Sequence, residues 1–176
     1  MKKLLLWVLG ILGVLVGLVL LATMIGMFLP KQHSFTRSMR IAQPPETIWN
    51  VVADFAGQPA WRLDVKNVER LPDRNGKPFW RITTMHGSSG FLLTEEAAEP
   101  HRLVVSDAHE DGTPFVTWRI EIAPAEGGSR VTIHESGDFG NPYSRFMVRY
   151  VLGQTKFVDD YLTFLAKKFG ETLAIE

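Results

Sequence analysis

The sequence contains no cysteine, which excludes a disulfide framework, thiolate zinc ligands and a cysteine nucleophile. It also lacks an excess of either charge, because 19 Lys and Arg residues balance 19 Asp and Glu residues. We therefore expect no nucleic-acid partner. The histidines show neither H-x-H nor HExxH spacing, and no glycine-rich phosphate loop is present, so we expect no metal and no cofactor. The histidines are His33, His86, His101, His109 and His134.

The first thirty residues differ in composition from the rest of the chain. No residue from 4 to 29 is charged. As a helix this run would be roughly 39 Å long, which exceeds the roughly 30 Å hydrocarbon core of a bilayer. A cleaved signal peptide is the alternative, but its apolar region usually has about 7 to 15 residues and ends at a small-residue cleavage site. The length favours a retained transmembrane anchor over residues 1–30.

Two further features of this segment concern its partners and its orientation. Gly13 and Gly17 have the small-xxx-small spacing that lets membrane helices approach closely, so they permit a weak dimer contact. The very short basic N-terminus, with Lys2 and Lys3, is typical of a Sec-type start. It suggests a single-pass protein of the bacterial inner membrane with its soluble domain on the periplasmic side. Basic residues beyond the span nearly balance the N-terminal charge, so the positive-inside rule does not decide the orientation.

The remaining chain predicts one domain over residues 31–170, followed by a short tail over 171–176. Alternating apolar residues from Phe35 to Ile41 predict a strand, and Pro45 is suited to the first turn of a short helix. Turn residues then separate six further segments with strand periodicity. Asn141 and Pro142 begin an amphipathic helix that is expected to continue to about Phe169. The six strands are expected at 65–71, 79–85, 91–98, 102–109, 115–123 and 130–136.

This order of elements resembles the START-related helix-grip superfamily, SRPBCC, and most closely its polyketide cyclase/dehydrase branch. The residues that carry the resemblance are the strand-to-helix join IAQPPETIW at 41–49, the ADF helix end at 53–55, Trp61, and the start of the final helix at Asn141. The resemblance implies an α+β fold. A curved antiparallel sheet of about seven strands would wrap around a long C-terminal helix, with two short helices after the first strand. It also implies a cavity between that helix and the sheet.

Strand alternation predicts which side chains would line this cavity. Val131 and Ile133 mark the inner face of the last strand, which places Glu135 on that face and His134 on the other. In the strand that starts at 91, Phe91 is favoured as inward over its neighbour Leu92. The predicted ligand-binding residues are Trp61, Trp80, Phe91, Trp118, Glu135, Phe146 and Tyr150. Two alternatives remain open: the aromatic residues fill a packed core, or Glu135 lies at the rim beside Arg145 or Arg149.

Three functions agree with this reading of the sequence. The first is a membrane-anchored module that binds a small hydrophobic or amphipathic molecule, such as a lipid, in the cavity. The second is a cyclase, aromatase or dehydratase, for which Glu135, Tyr150 and His86 are the available acid-base groups. The third is a scaffold with a filled interior that works through protein contacts. No catalytic residue is assigned from the sequence.

Overall fold

The computed structural model describes residues 2–172, except for the side chain of residue 5. The chain forms two compact units. One consists of residues up to 32 together with 138–154, and the other of residues 33–137 together with the chain from 155 onward. We call the first the anchor unit and the second the sheet unit.

The elements follow the predicted order. The helices are α1 (Lys2–Met27), α2 (Pro45–Val52), α3 (Pro142–Met147) and α4 (Lys156–Lys168), with a 3-10 turn at Gln58–Ala60 and a π-helical turn at Val148–Leu152. The strands are β1 (Gln32–Ile41), β2 (Val65–Arg74), β3 (Lys77–Thr84), β4 (Ser89–Ala98), β5 (Arg102–Ala108), β6 (Pro114–Ala125) and β7 (Gly128–Asp138). All seven predicted strands are therefore confirmed, each within a few residues of its expected ends.

The seven strands form one open antiparallel sheet with the order β1-β7-β6-β5-β4-β3-β2. Strands β2 to β7 follow one another as a meander, and β1 pairs with β7. Short turns make this topology possible. Between β2 and β3, for example, Asn75 and Gly76 adopt φ angles of 53° and 72°, as an Asn-Gly hairpin turn requires. These observations confirm the predicted α+β helix-grip architecture.

The core of the sheet unit lies between one face of the sheet and the helices α2 and α4. We call this face the inner face. In α2, Ile48, Trp49 and Val52 are buried, and Pro45 stands in the first turn, as predicted. In α4, the buried residues have the spacing of one helical face. They are Val158, Tyr161, Leu162, Leu165 and Ala166.

A second and smaller cluster lies on the opposite face of the sheet. It consists of Phe79, Leu93 and Ala108, with Leu71 and Phe91 packed against it. The prediction that Phe91 faces inward is therefore wrong, because Leu92 takes the inner side and packs against the main core. The physical reason is that both faces of this strand are apolar, so alternation alone does not identify the inner one.

The final helix is interrupted, which the sequence did not predict. After α3 and the π-helical turn, Gly153 adopts φ 89° and ψ 136°, a conformation outside the helical region. α4 then begins at Lys156. Apolar residues keep a helical spacing on both sides of Gly153, which explains why the sequence predicts one continuous helix. α3 belongs to the anchor unit and α4 to the sheet unit.

Within the anchor unit, the C-terminal end of α1 packs against α3. The backbone at Gly26 is so close to Pro142 that a Cβ at residue 26 would overlap the Pro142 carbonyl. The buried Arg145 guanidinium donates to the carbonyl of Leu29 at 2.8 Å and to that of Gly140 at 3.3 Å. Among residues 2–172, α1 is the one helix long and apolar enough to cross a membrane, a test that a signal sequence would also pass.

Candidate ligand site

The inner face of the sheet is closed at one end and partly accessible at the other. Leu103, Ile120 and Ile133 lie side by side on β5, β6 and β7 and are almost fully buried. Four residues further along β5, Asp107 is only half-buried, and its cross-strand neighbour Leu92 on β4 is half-buried too. Accessible surface within an otherwise apolar interior is the feature expected at the mouth of a ligand site.

Three aromatic rings from different elements contact one another in the interior, next to this accessible end. Tyr161 of α4 has 4% of its surface exposed. Its ring makes edge-to-face contacts with Trp61 at 5.3 Å and with Trp118 of β6 at 5.5 Å between ring centroids. Such contacts fix the rings in position and add to the stabilisation from buried apolar area. The three rings thus form a rigid apolar wall that joins the helix to the sheet.

A buried acid-base pair lies further than Asp107 from the accessible end of the inner face. Glu135 of β7 has 4% of its surface exposed, and its Oε1 lies 2.9 Å from Nε2 of His33 on β1. His33 Nε2–H donates this bond when Glu135 is ionised. Burial raises the pKa of Glu135, while the bond and charge of His33, and more weakly Trp118, oppose the rise. The pair therefore places a titratable carboxyl group inside the unit.

Asp107 supplies a second carboxyl group near the first. Burial, reinforced by the negative charge of Glu135, raises the pKa of Asp107 from 3.8 to about 7, and the positive charge of Arg62 opposes the rise. Near neutral pH this group is therefore present both as an acid and as a carboxylate. Two carboxyl groups that influence each other are a common arrangement for acid-base work or for binding a polar ligand group.

Arg62 adds one positive charge on the helix side of this cluster. Its guanidinium carbon lies 5.4 Å from the centre of the Tyr161 ring, a cation-π distance. The same side chain donates to the Oδ2 of Asp64 at 2.6 Å and to the Oε1 of the buried Gln58 at 3.1 Å. Burial raises the pKa of Tyr161 and Arg62 opposes the rise, so the phenol stays neutral.

The side of the site formed by β3 and β4 is also aromatic. Trp80 stacks on Phe55 at 5.1 Å between centroids, and its Nε1–H donates to the Oγ1 of Thr94 at 3.3 Å. The Arg70 guanidinium carbon lies 5.1 Å from the Trp80 ring. By contrast, Trp118 Nε1–H is buried and meets no acceptor in strict hydrogen-bond geometry among the described residues, although it is close enough to its cross-strand neighbour Glu135 to lower the pKa of that carboxyl group slightly. A bound molecule with an acceptor group would satisfy this donor.

The structure brings together four of the seven predicted ligand-binding residues. Trp61, Trp80, Trp118 and Glu135 all lie on the inner side of the sheet unit. Glu135 is paired with His33 of the same unit, whereas Arg145 and Arg149 belong to the anchor unit.

The other three predicted residues are not part of this group. Phe91 is on the opposite face of the sheet, and Phe146 and Tyr150 belong to the anchor unit, where their rings contact each other at 5.3 Å. For residues 146 and 150 the difference follows from the interruption at Gly153, because the sequence predicts them on the same helix as α4. The role of Phe146 and Tyr150 in ligand binding stays a prediction.

Four residues of the site were missed by the sequence analysis: His33, Arg62, Asp107 and Tyr161. For two of these residues, the sequence contains a pattern that could have identified them. Asp107 continues the alternation of Leu103 and Val105, and Tyr161 follows Val158 at helical spacing. No local signal identifies Arg62 or His33, because Arg62 lies outside regular elements and β1 begins earlier than its apolar alternation suggests.

The sequence comparison agrees with this geometry. Residues 32–169 match the family described as polyketide cyclase / dehydrase and lipid transport. Because the match covers most of the chain, the protein belongs to this family. The comparison with curated proteins gave no match.

Solved structures with the same fold include proteins of different kinds. BexL, a di-domain ARO/CYC from the BE-7585A biosynthetic pathway, has 16% identity and a TM-score of 0.61, over 85% of this chain and 53% of that chain. StfQ, a di-domain ARO/CYC from the steffimycin biosynthetic pathway, has 14% identity and a TM-score of 0.59, over 78% and 50%. Protein NE0264 from Nitrosomonas europaea has 14% identity and a TM-score of 0.55, over 77% and 95%. This chain thus spans about half of each di-domain protein, and the likeness concerns the fold alone.

Proposed function

We propose that the sheet unit binds a small hydrophobic or amphipathic molecule between α4 and the inner face of the sheet. The observation that carries the proposal is the buried Glu135–His33 pair beside an aromatic wall. A buried, hydrogen-bonded acid-base pair does not favour folding over an apolar core of the same volume. Its presence is therefore better explained by a ligand whose polar group it meets.

The neighbouring side chains support a particular chemistry for this ligand. Trp61, Trp118 and Tyr161 offer ring faces and edges to an apolar body. Glu135 and Asp107 accept hydrogen bonds when ionised and donate when protonated. The ligand class is accordingly an apolar chain or ring system with a hydroxyl, carbonyl or carboxyl group at one end. A lipid and a polyketide-like ring system both fit this description.

We further propose that α1 is a retained anchor in the bacterial inner membrane, with the sheet unit on the periplasmic side. Large apolar side chains are exposed along the whole of α1, which water would disfavour and lipid would not. A Cβ at Gly13 or Gly17 would meet no atom within 4 Å, which leaves both open to a second helix. Labelling of Glu126→Cys with a membrane-impermeant maleimide in intact cells tests the orientation. Labelling only after cell lysis would contradict it.

Photo-crosslinking of the full chain in its membrane tests the ligand proposal. A fatty acid with a diazirine in its chain is added, activated by light, and its attachment sites are mapped by peptide sequencing. We expect attachment in β6, β7 and α4, close to Trp118 and Tyr161. Attachment in α1 reports lipid around the helix and serves as the internal control for probe activation. Attachment in α1 without any in the sheet unit would contradict binding of a fatty acyl chain.

An enzyme of the cyclase or dehydratase type is the second candidate function. The specific observation that favours it is the raised pKa of Asp107 close to Glu135, because an acid-base catalyst works best with a pKa near the working pH. Dehydration removes one water from the bound molecule. If the protein catalyses it, molecules co-purified with the Asp107→Asn variant should be heavier by one water than those from the wild type. Identical passengers would favour binding without catalysis.

A further inference from the structure

Exposed apolar residues continue beyond α1 into the segment 143–152. Tyr150 and Val151 have 60% and 58% of their surfaces exposed. Together with Tyr143, Phe146 and Met147 they form a group of apolar residues that recur at intervals of three or four along α3 and the π-helical turn. Two members of this group, Phe146 and Tyr150, are among the ligand-binding residues that the sequence predicts. The structure places the whole group in the anchor unit, which leaves its apolar surface to be explained.

The position of α3 relative to α1 indicates the level at which this surface lies. α3 begins beside Gly26, and Arg145 is bonded to the carbonyl of Leu29, just beyond the end of α1. From the exposed Trp7 to Gly26, a helix rises by roughly 30 Å, the thickness of a hydrocarbon core. α3 therefore starts where a spanning α1 would leave the hydrocarbon.

The chemistry of the segment is that of a membrane-water interface. Tyrosine is enriched at this level because its ring is apolar and its hydroxyl group is polar. Arg149 is exposed and adds a positive charge that suits lipid phosphates. Arg145 does not present its charge to lipid, because it is buried and bonded to the Leu29 and Gly140 carbonyls. The positively charged guanidinium group of Arg145 instead stabilises the C-terminal end of α1.

We propose that residues 143–152 form an interfacial contact with lipid, beside the span and on the side of the bilayer where α1 ends. The inference rests on the proposed retention of α1 as an anchor. Lipid is the occupant because the exposed apolar surface of 143–152 is continuous with that of α1 through their packing at Gly26. The contact fixes α3 at the membrane surface and makes Gly153 the point where the chain leaves it.

The absence of cysteine from the chain permits a direct test. Tyr150→Cys and Val151→Cys each carry one nitroxide label in the full chain, reconstituted into vesicles of phosphatidylcholine with a minority of phosphatidylglycerol. The measurement compares relaxation by oxygen, which concentrates in lipid, with relaxation by a water-soluble nickel chelate. Leu15→Cys reports the middle of the span, and Glu126→Cys, in the exposed turn between β6 and β7, reports water.

We expect the labels at 150 and 151 to be relaxed more by oxygen than by nickel, with a shallower depth than the label at 15. If the labels at 150 and 151 are relaxed like the label at 126 while the label at 15 is in lipid, the inference is overturned. The anchor proposal is then unaffected. Shielding of 150 and 151 from both reagents would overturn it in favour of a protein contact. A label at 15 in water would overturn the anchor proposal, and the inference with it.

Discussion

At the scale of single residues, the protein has two Glu–His pairs that can be compared, one buried and one exposed. Glu135 and His33 are 2.9 Å apart, with side chains 5% and 11% exposed. Glu121 and His134 are 3.6 Å apart on the other face of the sheet, with side chains 43% and 42% exposed. The strands are neighbours, so the two pairs differ mainly in burial. Only the buried pair has the low-dielectric surroundings in which a charge is costly and a ligand contact is strong.

We predict that Glu135→Ala lowers the free energy of unfolding by about 2 to 3 kcal/mol, because it leaves the buried His33 ring without this acceptor. Glu135→Gln keeps an acceptor oxygen and should cost about 1 kcal/mol. Glu121→Ala is the matched control and should stay within about 0.5 kcal/mol of the wild type. Denaturant unfolding of the full chain in detergent micelles measures all three. Equal losses at residues 135 and 121 would show that burial does not distinguish the pairs.

Asp107 predicts a pH dependence of stability. Its pKa is raised from 3.8 to about 7 on folding, so between these values the folded chain holds a proton that the unfolded chain has released. Stability should therefore fall as pH rises through this window, by up to about 1.4 kcal/mol per pH unit from this group. Asp107→Asn should flatten the fall, whereas Asp160→Asn, at an exposed site paired with Lys156, should not. The measurement compares the unfolding midpoints of the wild type and both variants at pH 5 and at pH 8. An unchanged slope in Asp107→Asn would contradict the raised pKa.

At the scale of elements, the sequence predicted each strand and helix but not the break in the last helix. Strands were predictable because turn residues separate them and their apolar residues alternate. The break was not, because Gly153 sits between two segments that share the same helical spacing, and one glycine is tolerated inside many helices. The same kind of ambiguity misplaced Phe91, since both faces of β4 are apolar and only the packing of the whole sheet selects between them.

Gly153 should be intolerant of a side chain because of its backbone conformation. We predict that Gly153→Ala lowers the free energy of unfolding by about 1 to 3 kcal/mol, since a residue with a Cβ is strained at φ 89° and ψ 136°. Gly140→Ala is the control, because Gly140 has no positive φ and a Cβ there would meet no atom within 4 Å. It should be close to neutral. Thermal unfolding of both variants in micelles tests this, and a neutral Gly153→Ala would contradict the positive φ at this residue.

At the scale of the whole molecule, the chain joins two compact units with different surfaces. The anchor unit carries exposed apolar residues that suit lipid, and the sheet unit carries a partly accessible interior with buried acid-base groups. Composition predicted the apolar N-terminal helix, and the family resemblance predicted the helix-grip fold, but neither predicted that residues 138–154 belong to the same unit as that helix. The sequence also did not predict which of its aromatic residues share a unit, because that depends on contacts between distant parts of the chain, such as Tyr161 with Trp118.

Native mass spectrometry of the full chain, released from lipid nanodiscs after gentle purification, tests the central claim most directly. We predict one small apolar molecule per chain, retained by the wild type and by Glu121→Gln. Glu135→Gln should lose a large part of this occupancy, because the amide changes the charge that meets the ligand's polar group. Chains that are consistently empty, or equal occupancy in Glu135→Gln and Glu121→Gln, would contradict a ligand site built around the buried pair.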